Sequence, residues 1–175
     1  MTEPQVILVD NNDEVIGSMG KQEAHVQGKL HRAISILVFN TKGEWLIHQR
    51  AKNKYHCGGL WTNACCSHPA PGESSEEAAI RRLQQEMGLY TKDIEKLFKF
   101  KYKAAFDNEL TEHEIDHVFR VVSNDTPEIN EEEVADYKYL TGSEISRLMR
   151  KHPLSFTPWF KLIFDRITND STLVL

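Results

Sequence analysis

The densest run of chemically useful side chains is Trp61-Thr62-Asn63-Ala64-Cys65-Cys66-Ser67-His68-Pro69. If this run is extended, Cys66 and His68 lie two residues apart and project to the same side, while Cys65 projects to the other. A thiol then sits beside an imidazole able to bind a metal. On its residues alone a cysteine here is more often a small buried hydrophobe, so the run does not choose between Cys65 and Cys66. A second run is Thr111-Glu112-His113-Glu114-Ile115-Asp116-His117-Val118-Phe119-Arg120-Val121-Val122. Ile115, Phe119 and Val121 alternate as the apolar face of a strand, and Glu112 and Glu114 project together from the other. Paired carboxylates repel, so they need solvent, a cation or a shared proton. A solvated strand edge meets that need as well as a metal or proton-transfer site does. His25 and His31, in the stretch from Lys21 to His31, are further candidate imidazole ligands.

A helix must follow the first run. From Glu73 to Met87, Ala79, Leu83 and Met87 recur at four-residue steps with Ile80 on the adjacent edge, which is helical spacing with one face turned inward. Pro71 and Gly72 break the chain ahead of it and Ser74 or Ser75 can cap it. Glu76 and Glu77 suit the positive end of its dipole, and Gly88 stops it. A solvated helix rich in Glu and Arg would show the same charges in isolation.

This segment resembles the Nudix box, whose pattern is Gly, five residues, Glu, seven residues, Arg-Glu, an apolar residue, any residue, Glu-Glu, any residue, Gly, apolar. Aligned on Gly88, the positions read Ser67, Glu73, Arg81, Arg82, Leu83, Gln84, Gln85, Glu86, Met87, Gly88 and Leu89. Glu73, Arg81, Glu86 and Gly88 match. The opening Gly is Ser67, and two metal-binding Glu positions are Arg82 and Gln85. Hydrolysis of a phosphoanhydride by several metals needs a cluster of carboxylate oxygens, which one remaining Glu cannot assemble. Glu86 can still hold one Mg²⁺ against a diphosphate while Arg82 meets phosphate oxygens. The resemblance therefore implies a Nudix fold with a diphosphate clamp in place of hydrolytic machinery.

The run from Trp61 to Pro69 resembles the cysteine motif of the type I isopentenyl-diphosphate isomerases, a family with the Nudix fold. The motifs occur in the expected order from about Val6 to Phe164. The resemblance, and not the spacing, selects Cys66 over Cys65. It implies interconversion of isopentenyl and dimethylallyl diphosphate, with Cys66 on one face of the substrate and Glu114 with Tyr102 on the other. It implies that Trp159, in Phe156-Thr157-Pro158-Trp159, stabilises a carbocation through its ring face. It implies diphosphate contacts from Lys21, Arg50, Lys54 and Arg82, with Mg²⁺ on Glu86. It also implies a divalent metal on His25, His31, His68, Glu112 and Glu114, a donor set that suits Mn²⁺ or Zn²⁺ better than Ca²⁺. His48, His56, His113, His117 and His152 have no counterpart in the family and read as surface or packing residues. Tyr102 and Trp159 are at positions where an ordinary core aromatic would look the same. A Nudix pyrophosphohydrolase, or a noncatalytic diphosphate or metal-binding module, are the readings from other classes.

The rest of the chain supplies the frame. Its 175 residues, 40% apolar and 27% charged, are most simply one soluble domain with a substantial core. A net charge of −5 argues against a general nucleic-acid binder, although local basic residues could still hold a phosphate ligand. The family resemblance implies a small allylic or homoallylic diphosphate as the partner. The sequence shows neither a membrane-length apolar run nor a basic, apolar leader pattern. Three cysteines, two of them adjacent, make no disulfide framework and suit the cytoplasm. No feature fixes the oligomeric state, and a monomer is favoured. Strands are expected at 5–9, 14–20, 31–40 and 44–50, with turns at 11–13 and 40–43. Beyond the first helix, Phe98-Lys99-Phe100-Lys101-Tyr102-Lys103 alternates with a buried aromatic face and pairs with a strand at 113–122 across a loop at 107–111. Asp125 to Asp136 reads as a solvated acidic connection. A strand near 136–140 leads to helices near 143–151 and 157–168. Strands and helices mixed in this way indicate an α/β (α+β) fold, and the Nudix resemblance makes it an α/β/α sandwich with a mixed central sheet.

Overall fold

The computed structural model describes residues 3–54, 56–106 and 109–170. Its elements run β1 (Gln5–Val9), β2 (Val15–Gly20), α1 (Lys21–Gln27), β3 (His31–Phe39), β4 (Trp45–Arg50), β5 (Trp61–Asn63) and β6 (Cys65–Ser67). They continue with α2 (Ser75–Met87), β7 (Glu95–Ala105), β8 (Thr111–Val122), β9 (Val134–Leu140), α3 (Gly142–Lys151) and α4 (Pro158–Asn169). A nine-stranded sheet carries the path β2-β1-β3-β4-β5, with β6 and β8 also on β3, β7 on β8 and β9 on β4. The β3–β8 pair is parallel, with His31 opposite Glu114 and Ser35 opposite Val118. The other named pairs are antiparallel, so the sheet is mixed.

Alternation along β3 sorts the two layers. Ile34, Ile36 and Val38 pack with Ala78, Ala79, Leu83 and Met87 of α2, together with Phe119 and Val121 of β8. Leu37 and Phe39 point the other way, into a core with Val118, Ile145 of α3, and Trp159, Phe160, Ile163 and Phe164 of α4. Helices thus cover both faces of the sheet, the expected α/β/α sandwich. Full burial of side chains such as Leu83 and Phe160 stabilises it by about 1.5–3 kcal/mol each. Among the described residues no helix is long and apolar enough to cross a membrane.

The sequence expectations are met to within a few residues, and the departures have physical causes. Ser74 caps α2 through a box with Glu77, so Glu73 lies outside the helix and turns back to accept from Arg81 Nε and Nη2 and from the Ala70 N–H. Gly88 closes α2 at φ 67°, and a Cβ there would stand 2.7 Å from Glu128 Cβ and O, so glycine is needed for both conformation and space. The aromatic face of β7 is only partly buried. Tyr102 is 8% exposed, whereas Phe98 and Phe100 are half-buried because β7 is an edge strand paired only with β8. Strand β8, in contrast, is no solvated edge: it lies between β3 and β7, and Glu112, Glu114 and Asp116 are 4%, 5% and 1% exposed.

The acidic connection before β9 also differs from a freely solvated loop. The N–H groups of Glu128 and Asn130 donate to the carbonyls of Met87 and Glu86. The loop thereby satisfies the end of α2, which no intrahelical donor can reach. The expected 107–111 loop lies partly outside the described residues, at 107 and 108. Its neighbours are tied by the Phe106 N–H to the Leu110 carbonyl at 2.9 Å.

Candidate active site

The strand pairings gather residues that lie far apart in the chain on the α4 side of the sheet. His31 and Glu114 are register partners on β3 and β8, while β6 lies along the opposite edge of β3 with Cys66 opposite Ser35. A cleft opens there, lined by Cys66, His68, Tyr102, Glu112, Glu114 and Trp159, with Lys21, Arg50, Lys54 and Arg82 also in its wall. Except for Glu86 and the pair His25 and His31, every residue singled out for chemistry reaches this cleft.

His25, His31, His68 and Glu114 bring one ligand atom each to within 4.8 Å of one another. Glu114 Oε1 lies 3.0 Å from His68 Nε2, 3.2 Å from His31 Nε2 and 3.9 Å from His25 Nε2. The far nitrogens are fixed by the backbone, His25 Nδ1 against the Lys21 carbonyl at 2.6 Å and His31 Nδ1 against the Lys29 carbonyl at 2.8 Å. Those carbonyls only accept, so the rings carry their protons on Nδ1 and aim Nε2 lone pairs inward. Metal–nitrogen and metal–oxygen bonds of about 2.0–2.2 Å set neighbouring donors roughly 3 Å apart, so the cluster fits a divalent ion. Burial lowers His25 to about 4 and His68 to about 3, which keeps those two rings neutral as ligands must be; His31, against its burial, is raised by the Glu114 carboxylate beside it.

Glu112 stands outside that group. Its Oε1 lies 2.5 Å from His56 Nε2 and its Oε2 lies 2.9 Å from Tyr102 Oη. Tyr102 Oη gives its one proton to Glu114 Oε2 at 2.6 Å. The two carboxylates differ sharply. Burial and then the charge of Glu114 push Glu112 well above the usual carboxylate range. In Glu114, which is also buried, the neighbouring His31 and His68 outweigh burial and hold the group well below it. Burial, reinforced by both glutamates, raises the Tyr102 phenol as well.

Cys66 faces the cleft and Cys65 points to the other side, as the extended run requires. The Cys65 thiol is buried with the α2 core, while Cys66 packs with the α4 cluster. Cys66 donates to Asn63 Oδ1 at 2.9 Å and accepts from Trp159 Nε1 at 2.9 Å. Burial, with Asp116 adding to it, pushes the thiol up to about 12, so it rests protonated.

The basic wall is already partly paired. Arg82 donates to Glu86 Oε1 from Nη2 at 2.5 Å and reaches Glu133 Oε1 at 3.3 Å, and Lys54 is bonded to Glu133. Arg50 donates to the His56 carbonyl at 3.3 Å and lies 5.4 Å from the Trp159 ring centroid. Burial, then Lys54, Arg50 and Arg82, bring Lys21 down to about 8, the mark of a cation among cations. Glu86 does not line the cleft; it lies 3% exposed behind Arg82. Gln85 is bonded to Arg81 and Arg82 and Glu73 to Arg81, so this helix offers no cluster of free carboxylates.

Five residues of the site were not singled out by sequence. Asp116 continues the alternation of Glu112 and Glu114, a signal that was there to find. Ser35 is the one hydroxyl in the apolar run of β3 and donates to Asp116 Oδ2 at 2.7 Å. Asn63 and Glu133 carry no local mark. His56, read as surface or packing, instead lines the cleft against Glu112. Of the other histidines without a family counterpart, His48 and His117 are buried, His113 is half-buried and His152 is exposed.

Residues 29–160 match the NUDIX domain family. The isopentenyl-diphosphate Delta-isomerase of Pectobacterium atrosepticum is 51% identical over 93% of this chain and 90% of that protein. Isopentenyl-diphosphate Delta-isomerase 2 of Aromatoleum aromaticum is 44% identical over 98% of this chain and 90% of that protein. A Deinococcus radiodurans crystal structure superposes with TM-score 0.75 at 19% identity, covering 93% of this chain and 98% of that one. A Nudix hydrolase from M. smegmatis does so with TM-score 0.62 at 16% identity, covering 99% and 98%. At such low identity those two structures speak for the fold alone. The sequence relatives go further, and with them the chain belongs to the isopentenyl-diphosphate Delta-isomerase family, built on the NUDIX domain.

Proposed function

We propose that this cleft interconverts isopentenyl and dimethylallyl diphosphate, with Cys66 acting on one face of the substrate and Glu114 with Tyr102 on the other. One observation carries the assignment: a protonated thiol and a phenol–carboxylate pair line the same cleft, beneath a wall of four cations. A 1,3 proton shift needs two proton-transfer groups and an anchor for the diphosphate. Hydrolysis would need the carboxylates that Arg82 and Gln85 replace.

An unactivated alkene is a weak base, and protonating it produces a tertiary carbocation that water would capture. The burial of Tyr102, Glu112 and Glu114 supports exclusion of water. The Tyr102 hydroxyl, held on Glu114 at 2.6 Å, is placed to move a proton at one end of the allyl system. The thiol of Cys66 serves the other end, and the directions reverse with the reaction. The ring face of Trp159 stabilises the cation. Lys21, Arg50, Lys54 and Arg82 bind the diphosphate, Arg82 exchanging its bond to Glu86 for phosphate oxygens.

His25, His31, His68 and Glu114 would hold Mn²⁺ or Zn²⁺, with Glu112 on the same strand face as the fifth donor. Bound there, the ion supplies positive charge that keeps Glu114 ionised and oriented. Glu86 would hold Mg²⁺ against the diphosphate, since Mg²⁺ commonly takes one or two carboxylates plus substrate phosphates. All these residues lie within the single proposed isomerase domain. The free thiols of Cys57, Cys65 and Cys66 fit a reducing compartment such as the cytoplasm.

The test is incubation of the metal-loaded protein with isopentenyl diphosphate in deuterated water, followed by proton NMR. Deuterated dimethylallyl diphosphate is the expected product, and Cys66→Ala abolishes its formation while leaving the fold intact. Released phosphate would mean hydrolysis, unchanged substrate would mean binding only, and near-normal turnover by Cys66→Ala would remove the thiol from the mechanism.

A further inference from the structure

We infer that Asn63 is the positioning residue for Cys66, fixing the direction in which its S–H bond points. Asn63 ends β5, is 1% exposed, and its carboxamide has no freedom to flip. Nδ2 donates to the Ile36 carbonyl at 3.1 Å and to the Cys65 carbonyl at 2.8 Å. Both partners only accept, so the nitrogen must face them and Oδ1 must face the thiol. Oδ1 lies 2.9 Å from Cys66 Sγ, and an amide oxygen cannot donate, so the thiol does.

The opposite partner has the opposite sense. Trp159 Nε1 can only donate, and at 2.9 Å it takes a lone pair of the same sulfur. The remaining neighbours do not compete for the thiol proton. Ser35 Oγ is 3.7 Å from Sγ and gives its own proton to Asp116 Oδ2 at 2.7 Å. Thr62 Oγ1, also 3.7 Å from Sγ, donates to Asn63 Oδ1 at 3.0 Å and is held by Thr157 Oγ1 at 2.9 Å. In the resting site the thiol proton is therefore turned to Asn63, one lone pair is taken by the indole, and the other faces the cleft that Cys66 lines. With sulfur held in place, the proton reaches carbon by rotation of the S–H bond about Cβ–Sγ from Oδ1 into the cleft, and the thiolate left behind accepts one in the reverse direction. Asn63 transmits the rigidity of the backbone at Ile36 and Cys65 to a side chain that would otherwise spin. Proton transfer to or from carbon requires that sulfur at a defined place.

The experiment is Raman spectroscopy of the S–H stretch in the substrate-free, metal-loaded protein, with the Cys66 band assigned by difference against Cys66→Ala. The expected band lies at the lower frequency of a hydrogen-bonded thiol, and Asn63→Ala moves it to that of an unbonded one. In the same variant kcat falls by roughly 10- to 100-fold, while KM stays within about twofold because no diphosphate contact is lost. A wild-type band already at the unbonded frequency overturns the inference even if Asn63→Ala fails to fold. A folded Asn63→Ala protein with unmoved band or unchanged kcat overturns it too. The kinetic half rests on the isomerase reading and the spectroscopic half does not. A wild-type protein that forms no dimethylallyl diphosphate would sink that reading and leave the Asn63–Cys66 bond to be judged by its band.

Discussion

The Tyr102 hydroxyl donates a 2.6 Å hydrogen bond to Glu114 Oε2, placing a buried phenol on the one carboxylate that three histidines approach through its other oxygen. The two residues are register partners across β7 and β8, so the contact is set by the sheet and not by a mobile loop. Tyr102→Phe keeps the ring packing and removes the proton. Its kcat is expected to fall by about 10²–10⁴-fold, the usual contribution of a positioned proton-transfer group, with little change in KM. Glu114→Gln is expected to abolish turnover with the fold intact. Steady-state kinetics with circular dichroism checks both, and a Tyr102→Phe enzyme within a few-fold of wild type would assign the proton to another group.

Metal occupancy depends on the same carboxylate. Dialysis against a chelator should strip activity, and a divalent ion should restore it. His31→Ala should lose the ion at concentrations where the wild type retains it, read as metal content by mass spectrometry and not through turnover alone. The geometric ground is the convergence of His25, His31, His68 and Glu114. An unchanged metal content in His31→Ala would place the ion elsewhere.

Arg82 occupies a box position where the usual acid would bind metal, and it bridges Glu86 and Glu133. Arg82→Ala is expected to raise KM by about 10- to 100-fold, since hydrogen bonds to charged groups contribute about 1.5–3 kcal/mol. Arg82→Lys should recover only part of this loss, because an ammonium cannot reproduce the planar fork. Initial-rate kinetics decides, and an unchanged KM in Arg82→Ala would exclude Arg82 from the diphosphate contacts.

Stability should decline in mild acid through histidines remote from the metal cluster. Burial lowers His48 from 6.5 to about 3 and His117 from 6.5 to about 4. Both stay neutral in the folded protein at pH values where the unfolded chain takes up a proton. Stability is therefore complete above pH 6.5 and is lost as pH falls below it, at up to about 1.4 kcal/mol per pH unit for each histidine. The loss levels off near pH 4 for His117 and near pH 3 for His48. Urea unfolding at pH 7 and pH 5.5, under saturating metal, measures the slope, and His48→Gln should reduce it. An identical slope in that variant would show that His48 does not titrate on unfolding.

The legible parts of the sequence were those written in local periodicity. Ala79, Leu83 and Met87 announced α2 because one turn of helix brings every fourth residue to one face. Alternation in β7 and β8 gave their faces, and the two-residue step from Cys66 to His68 gave the side they share. The box substitutions at Arg82 and Gln85 could be read directly because they are departures at fixed spacing. Boundaries were less legible: Glu73 matched the box yet folds back onto Arg81 outside the helix, since Ser74 captures the Glu77 N–H and sets the first turn there.

By itself the sequence determined which side chains were available, on which face of each element they would stand, and which family the chain resembled. Only the tertiary structure decided how those faces meet. The parallel pairing of β3 with β8 puts His31 beside Glu114, and the β7–β8 pairing puts Tyr102 beside it from the other flank. The same packing buries Glu112 against His56 and Tyr102, and closes Asn63 and Trp159 on the Cys66 thiol. The physical reason is range. Backbone periodicity fixes direction within a few residues, whereas proton affinity and hydrogen-bond polarity depend on burial and on partners distant along the chain, which exist only once the sheet has assembled.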